Sequence, residues 1–592
     1  MKFLRNFFAS FLAVIAALLI GLPIIFMVLG GILASFGSSQ KPINVQPNTV
    51  LEIKLDVPIV ENASTEPVGF DFEKISPLGG SLKKLGLFQI VESIQAAAKD
   101  DRIDGIYLNL SPEPQTGWAS LKSIRNALLD FQNSGKFVYA YGEIYSEKSY
   151  YLASLADSLY MAPEGIVEFN GLTNTPVFFL GMFEKLDLKP RIFRVGTYKS
   201  AVEPFIRKDM SEANREQTAA YLGDIWSVFR TDVAASRSMN AEQLDRVADE
   251  FVFGKADKAQ RMGLIDRAAY EHEVQAQLAS ATETEADKPT TLSLIKYQRV
   301  AVAQRKVSQN KVAIVFAEGN IVRGKSTDGV IGHQSVIEEL RKAREDDKVK
   351  AIVFRVNSPG GDALASDLIA EEVRRCAAVK PIVASYGDVS ASGGYYITAP
   401  CDRIFAQENT ITGSIGIFGI QFDAQATFNN KLGLTFDEVE TNKLSNFANP
   451  AFPMSEAEQR LLQNNVEEGY GTFIRVVKEG RGFTDSTAVD EIAQGRVWSG
   501  KAAKDINLID EYGDLRTAVT YAAKQAGLSD DYRLRLLPRP KTPIEELMSE
   551  MIEQQASSQV PFHAELQQLH ALKRMIPQSG TYALMPYQVN IH

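Results

Sequence analysis

Two halves of this chain carry the same landmarks in the same order, about 245 residues apart. DDRIDGIYLNLSPEPQTGWASLKSIRNALLDF begins at Asp100, and DDKVKAIVFRVNSPGGDALASDLIAEEVRR begins at Asp346. Each reads as an apolar strand, a turn at Ser-Pro and an amphipathic helix. GKFVYAYGEIYSEKSYYLASLADSLYMAP is then matched by KPIVASYGDVSASGGYYITAPCDRIFAQ, and FVFGKADKAQRMGLID by RVWSGKAAKDINLID. A nearly constant offset across so many landmarks is internal duplication. Strand–helix alternation makes each copy α/β, and 592 residues are ample for two such domains.

The copies differ where chemistry would sit. Ser392, in DVSASGGYYITAP, falls opposite Glu147, and Gly393 and Gly394 fall opposite Lys148 and Ser149. Gly360 and Gly361 fall opposite Glu113 and Pro114. Proline has no amide hydrogen, so the first copy has lost a donor there. The second copy reads as the one bearing a nucleophile and the first as its scaffold.

Ser392 stands where a strand gives way to a helix, so it is either a helix cap or a nucleophile with small neighbours that let a substrate backbone approach. FRVNSPGGDALAS follows a strand and precedes a helix, and its consecutive glycine amides suit a developing oxyanion. Neither GxxxxGK[ST] nor GxGxxG occurs in that stretch. The base is the harder question. Of the five histidines, His272 lies near the middle of the chain, His333 before a helix, and His563, His570 and His592 in the C-terminal tail. None has the setting of a triad member. The alternative is a lysine whose pKa is lowered by burial. Lys199, in RIFRVGTYKSAVEPF, and its counterpart Lys443, in VETNKLSNFANPAFP, are the two candidates, and the residues alone do not choose between them. Cys376 and Cys401 are too few for a disulfide framework or a multi-cysteine metal site, and read as buried small apolar residues.

No charge occurs between Arg5 and Lys41. The apolar run from Phe8 to about Phe36 exceeds both the roughly 20 residues a bilayer requires and the roughly 7–15 of a cleaved signal peptide. It reads as a retained anchor, with Lys2 and Arg5 keeping the short end cytoplasmic. SSQKPINVQPN follows as a tether, and LASATETEADKPTTLS separates the copies. GIFGIQFDAQATFNNKLGL reads mainly as core strand and helix, and the tail from KTPIEELMSEM onward as partly amphipathic helix. A net charge of -10 gives no support for nucleic-acid binding.

The anchor, both copies, SPGGDALAS, GDVSASGGYYI, NTITGSIGIFG and GTYKSAVEPF together resemble the long, tandem form of the bacterial signal peptide peptidase A (protease IV) family. The resemblance implies a Ser/Lys dyad on two tandem domains related to the Clp protease and the crotonases. Carried over, Ser392 is the nucleophile, Lys199 the base, Ser414 the serine that orients the lysine, and the amides of Gly360, Gly361 and Gly393 the oxyanion hole. It further implies no cofactor and no metal, a homotetramer, and an inner-membrane peptidase with periplasmic catalytic domains that degrades released signal peptides and other unfolded peptides. The expected division is an anchor over 1–36, a first domain over 37–280, a linker over 281–295, a second domain over 296–528 and a helical tail over 529–592. In the short relatives the lysine of one subunit serves the serine of its neighbour, so in a tandem chain the first copy's lysine can serve the second copy's serine. A crotonase-type enzyme acting on acyl thioesters, or a membrane scaffold without activity, are the competing classes. The anchor and the intact SPGG and SASGG motifs speak against them.

Overall fold

The computed structural model describes residues 43–63, 84–111, 113–250, 255–284, 288–305, 307–539 and 580–584. The expected anchor and most of the expected helical tail lie outside these residues. Among the described residues no helix is long and apolar enough to cross a membrane.

Each copy is built on its own largely parallel sheet. The first runs Arg267–Ala268, Ser158–Val167, Phe137–Tyr145, Ile103–Asn109, Thr49–Lys54, Thr290–Ser293, parallel throughout. The second runs Val497–Ser499, Ile411–Gly413, Ile382–Ala391, Val349–Ser358, Lys311–Glu318, Arg533–Leu537, and only Val497–Ser499 joins it antiparallel. The near-continuous apolar runs explain the parallel pairing, because such strands are buried on both faces. Val353, Phe354, Val383 and Ala384 have no exposed surface. The last strand of each sheet falls past the expected domain limit: Thr290–Ser293 is in the stretch read as linker, and Arg533–Leu537 in the stretch read as tail.

Helices cover the sheets as the pattern predicts. Trp118–Gln132 and Ala363–Ala377 are the two copies of the helix after the Ser-Pro turn. In the second, Ala365, Ile369, Val373 and Cys376 form the buried stripe, and the Asp362 side chain caps its start by accepting from Ala365 N at 2.8 Å. Cys376 and Cys401 are both buried free thiols, as read from the sequence.

A third sheet joins the copies. Its order is Val330–Gly332, Asn320–Val322, Gly360–Asp362, Gly580–Leu584, Phe418–Asp423, Lys189–Arg194. The last pairing matters most: Lys189–Arg194 of the first copy lies antiparallel on Phe418–Asp423 of the second, with Phe418 opposite Arg194. This brings the loop that carries Lys199 into the second copy. The segment expected as core strand and helix divides here. Phe418 and Ile420 are buried, but Thr427–Leu432 is a short π-helix with no buried residue.

One phosphate-loop string does exist elsewhere in the second copy, GNIVRGKS at residues 319–326. Its centre is the strand Asn320–Val322, and the next helix starts only at His333. The helix N-terminus that a phosphate loop requires at its Lys-Ser end is therefore missing.

Candidate active site

The strand Ile382–Ala391 ends at Ser392, and the helix Gly393–Thr398 begins immediately after it. Ser392 has φ 54° and ψ -116°, a conformation that a residue with a side chain adopts only under constraint. The constraint is visible in the backbone: Ser392 N donates to the Gly413 carbonyl at 2.8 Å, and Tyr396 N donates to the Ser392 carbonyl at 2.8 Å. Ser392 occupies the cap position of the helix, yet its side chain makes no capping bond. The hydroxyl is turned instead toward Lys199.

Lys199 Nζ lies 2.8 Å from Ser392 Oγ, 2.9 Å from the Ser414 carbonyl and 3.0 Å from Ser414 Oγ. All three residues are fully buried, at 0% exposure. Burial alone holds the Lys199 amine well below its usual pKa. Its surroundings leave room for a bare methylene chain and little else. A Cβ on Gly495 would come within 2.6 Å of the Lys199 Cβ, and one on Gly416 within 3.2 Å of its Cδ. The lysine loop is pinned by Tyr198 N, which donates to the Gln494 carbonyl at 2.9 Å. Ser414, at φ 49°, is pinned by its own N–H to the Arg496 carbonyl at 2.6 Å.

The glycine strand Gly360–Asp362 packs beside the helix that follows Ser392. A Cβ on Gly394 would approach the Ser358 carbonyl to 2.6 Å, and one on Gly361 would approach the Ile321 carbonyl to 2.0 Å, so neither position accepts a side chain. Gly360 N donates to Ser358 Oγ at 3.1 Å. Its amide therefore already has a partner, and Gly361 lies in the ladder opposite Ile321 and Ala583. The strand Gly580–Leu584 lies antiparallel along Gly360–Asp362 on one side and Phe418–Ile420 on the other.

The remaining sequence candidates lie elsewhere. Lys443 is exposed. His333 Nδ1 accepts from Gly324 N at 3.0 Å, and His272 stacks on Tyr270, so both have other partners. Glu147 is buried and its Oε1 accepts from Asn170 N at 2.6 Å and Gly171 N at 3.1 Å. Burial raises its pKa. Among the described residues no cluster of metal-ligating side chains occurs. A surface hollow of about 540 Å³ lies outside the lysine loop, lined by Arg194, Gly196, Thr197 and Gln494 among others. None of Lys199, Ser392 and Ser414 lines it.

Ser358, Gly416, Gly495 and Arg496 were not singled out in the sequence. Ser358 stands inside the quoted SPGG motif and is recognisable only once its hydroxyl is seen against Gly360 N. Gly416 likewise stands inside the quoted NTITGSIGIFG, two residues past Ser414, whereas Gly495 and Arg496 reach the site through tertiary contacts.

The model of peptidase family S49 matches residues 130–285 and 374–529, one match in each copy and just over half of the chain together. Protease 4 of Salmonella typhi is 37% identical, over 76% of this chain and 73% of that protein. Protease 4 of Haemophilus influenzae is 36% identical, over 76% of this chain and 74% of that protein. The chloroplastic serine protease SPPA of Arabidopsis thaliana is 34% identical, over 78% of this chain and 70% of that protein. With the family's domain present twice and this identity along three quarters of its length, the chain belongs to peptidase family S49, the Ser/Lys-dyad peptidases of the signal peptide peptidase A (protease IV) type, and is a serine peptidase.

Proposed function

We propose that Ser392 is the nucleophile and Lys199 its general base, within one chain. The observation that carries this is the 2.8 Å contact between a buried serine hydroxyl and a buried amine depressed in pKa. The neutral amine accepts the Ser392 proton as Oγ attacks the peptide carbonyl. The resulting ammonium protonates the leaving amine, and an acyl-enzyme forms. Lys199 then takes a proton from water as that water attacks the ester, and returns the proton to Ser392 Oγ as the ester bond breaks and the acid product leaves. Ser414 holds the amine through two oxygens. Gly361 and Gly393 supply the oxyanion donors, and Ser358 orients the loop through Gly360 N.

The substrate binds as an extended backbone between Gly360–Asp362 and Phe418–Ile420, where Gly580–Leu584 of this chain lies antiparallel to both. The substrates are released signal peptides and other unfolded hydrophobic peptides. Phe8 to Phe36 anchors the protein in the inner membrane, with the short N-terminus cytoplasmic and the catalytic domains periplasmic. The two copies are Clp protease/crotonase-like domains, the first extended past its expected limit to take in Thr290–Ser293 and the second to take in Arg533–Leu537, and no cofactor takes part.

The assembly is a homotetramer formed head to tail. Lys189–Arg194 of the first copy pairs with Phe418–Asp423 of the second. The matching stretch of the second copy, residues 434–439, joins no sheet and is exposed, Val439 fully so at 100%. Residues 173–178, the match to Phe418–Asp423, also join no sheet. Repeating the internal pairing between chains satisfies both and extends into a closed ring.

A serine-reactive phosphonate tests the dyad. It labels Ser392 in the wild type and fails with Lys199→Ala. Undiminished labelling of Lys199→Ala, or peptidase activity in Ser392→Ala, overturns the assignment.

A further inference from the structure

The two copies also meet at a cluster of charged side chains, on the ends of the strands that lead into the site. Arg355 and Glu61 are each 2% exposed, and Arg355 donates to both Glu61 oxygens, at 2.8 and 3.1 Å. The same guanidinium donates to Ser385 Oγ at 3.0 Å and to the Tyr386 carbonyl. Glu61 N donates to Glu318 Oε2 at 3.0 Å. Asp388, on the strand that ends at Ser392, accepts from Gly117 N at 3.3 Å, Ser120 N at 2.8 Å and Ser120 Oγ at 2.7 Å. It thereby caps the first copy's helix Trp118–Gln132.

Glu318, Arg355 and Asp388 each connect to the site through the backbone. Glu318 closes the strand Lys311–Glu318 and sits opposite Asn357, whose Oδ1 accepts from Val389 N at 3.1 Å. After Gly319 the chain enters Asn320–Val322, where Ile321 pairs with Gly361. Arg355 lies on the strand that ends at Ser358. Glu61 comes from the first copy.

We propose that Glu61, Glu318, Arg355 and Asp388 form a positioning network through which the first copy holds the strand of Ser392 and the strand of Gly361 in register. None of the four touches the reacting atoms. The proposal rests on the reading of Ser392 and Lys199 as the dyad.

The network contains three carboxyls and one guanidinium. Arg355 neutralises Glu61, and the helix N-terminus with its N–H donors serves Asp388. Glu318 is left with one backbone donor. Burial first, and Glu61 next, push its pKa up to about 8, and burial raises Glu61 as well, so the pair of carboxyls keeps a proton at neutral pH. The charged groups that face Glu318 are Glu61, Asp388 and Arg355. On the adjacent strand Arg533–Leu537, Arg535 is engaged by Asp346 at 2.5 Å. Because the folded pKa is raised above the free value, the stabilising protonated form is lost as pH rises through about 8. A second negative charge then faces Glu61, and the clamp between the copies loosens.

The test is the pH dependence of kcat/KM for the wild type and Glu318→Gln, which keeps the shape and cannot ionise. If turnover follows the protonated form, the ratio of variant to wild type rises about tenfold between pH 7 and pH 9. The ratio cancels the titration of Lys199, common to both. A ratio that stays constant overturns the proposal, as does a wild type with no alkaline loss by pH 9. Circular dichroism under the same conditions reads the folded fraction. A loss that merely follows unfolding also overturns the positioning role. Should Glu318→Gln fail to fold, the wild-type profile and its folded fraction still decide. Failure of the dyad appears separately, as activity in Ser392→Ala.

Discussion

The same short helix begins at Glu147 in one copy and at Gly393 in the other, and the two beginnings have opposite characters. In the first copy Ser146 is an ordinary cap, at φ -79°, whose side chain accepts from Ser149 N. In the second the cap residue is Ser392, at φ 54°, with its hydroxyl withheld from capping and set on a lysine. The relaxed copy places a carboxylate, Glu147, against two backbone amides. The constrained copy places a hydroxyl against an amine with no ionic partner. One fold thus supports a well-satisfied helix start or a strained one, and at this helix start the positive φ occurs only in the copy whose hydroxyl meets the lysine.

The widest contrast is expected from the dyad itself. Ser392→Ala and Lys199→Ala each lower kcat/KM for an unfolded peptide by at least about ten-thousand-fold, whereas Lys443→Ala changes it by less than about twofold. Equal losses at Lys199 and Lys443 would erase the distinction between the copies. Ser414→Ala is intermediate, with roughly 10- to 100-fold lost from kcat, because the amine keeps the Ser414 carbonyl and loses only the hydroxyl.

The pH profile sharpens the same contrast. Lys199 is depressed by burial, so kcat/KM falls as pH is lowered through its pKa and the amine becomes ammonium. The depressed pKa also means that the buried amine costs stability as pH falls from the free lysine value toward the folded one. Lys199→Met is therefore expected to be inactive but to raise the urea midpoint at pH 7, with a smaller gain at pH 10. A lower midpoint at pH 7 would show that the amine is stabilised by more than its three oxygens.

The smallest effect concerns the silent copy. Glu147→Ser restores a hydroxyl but supplies no lysine. Phosphonate labelling of the Ser392→Ala, Glu147→Ser double variant should therefore be absent. Its unfolding free energy should fall by roughly 1–3 kcal/mol, because Asn170 N and Gly171 N lose their acceptor.

The duplication was readable because core strands and helices follow local pattern, and the α/β sheets with their helices match it. Ser392, Lys199 and Ser414 were named from motifs, and the structure brings them together, though residues alone did not separate Lys199 from Lys443. That choice depends on the pairing of Lys189–Arg194 with Phe418–Asp423, a long-range register that no local periodicity encodes. The edge strands at Thr290 and Arg533 were read as linker and tail because a short strand held on one side carries little apolar signal. Gly495 and Ser358 were missed because a glycine's role as space and a serine's role as acceptor exist only in relation to a neighbour.

The separation of 193 positions between Lys199 and Ser392 has a consequence during synthesis. The lysine leaves the ribosome first and the serine much later. Even then the site lacks the Gln494 carbonyl that pins Tyr198 and the Arg496 carbonyl that pins Ser414. A nascent or prematurely ended chain therefore holds the parts of a protease without a working one. With Lys199 and Ser392 as the proposed dyad, cleavage becomes available only after most of the polypeptide exists, so the order of translation itself acts as a safety catch.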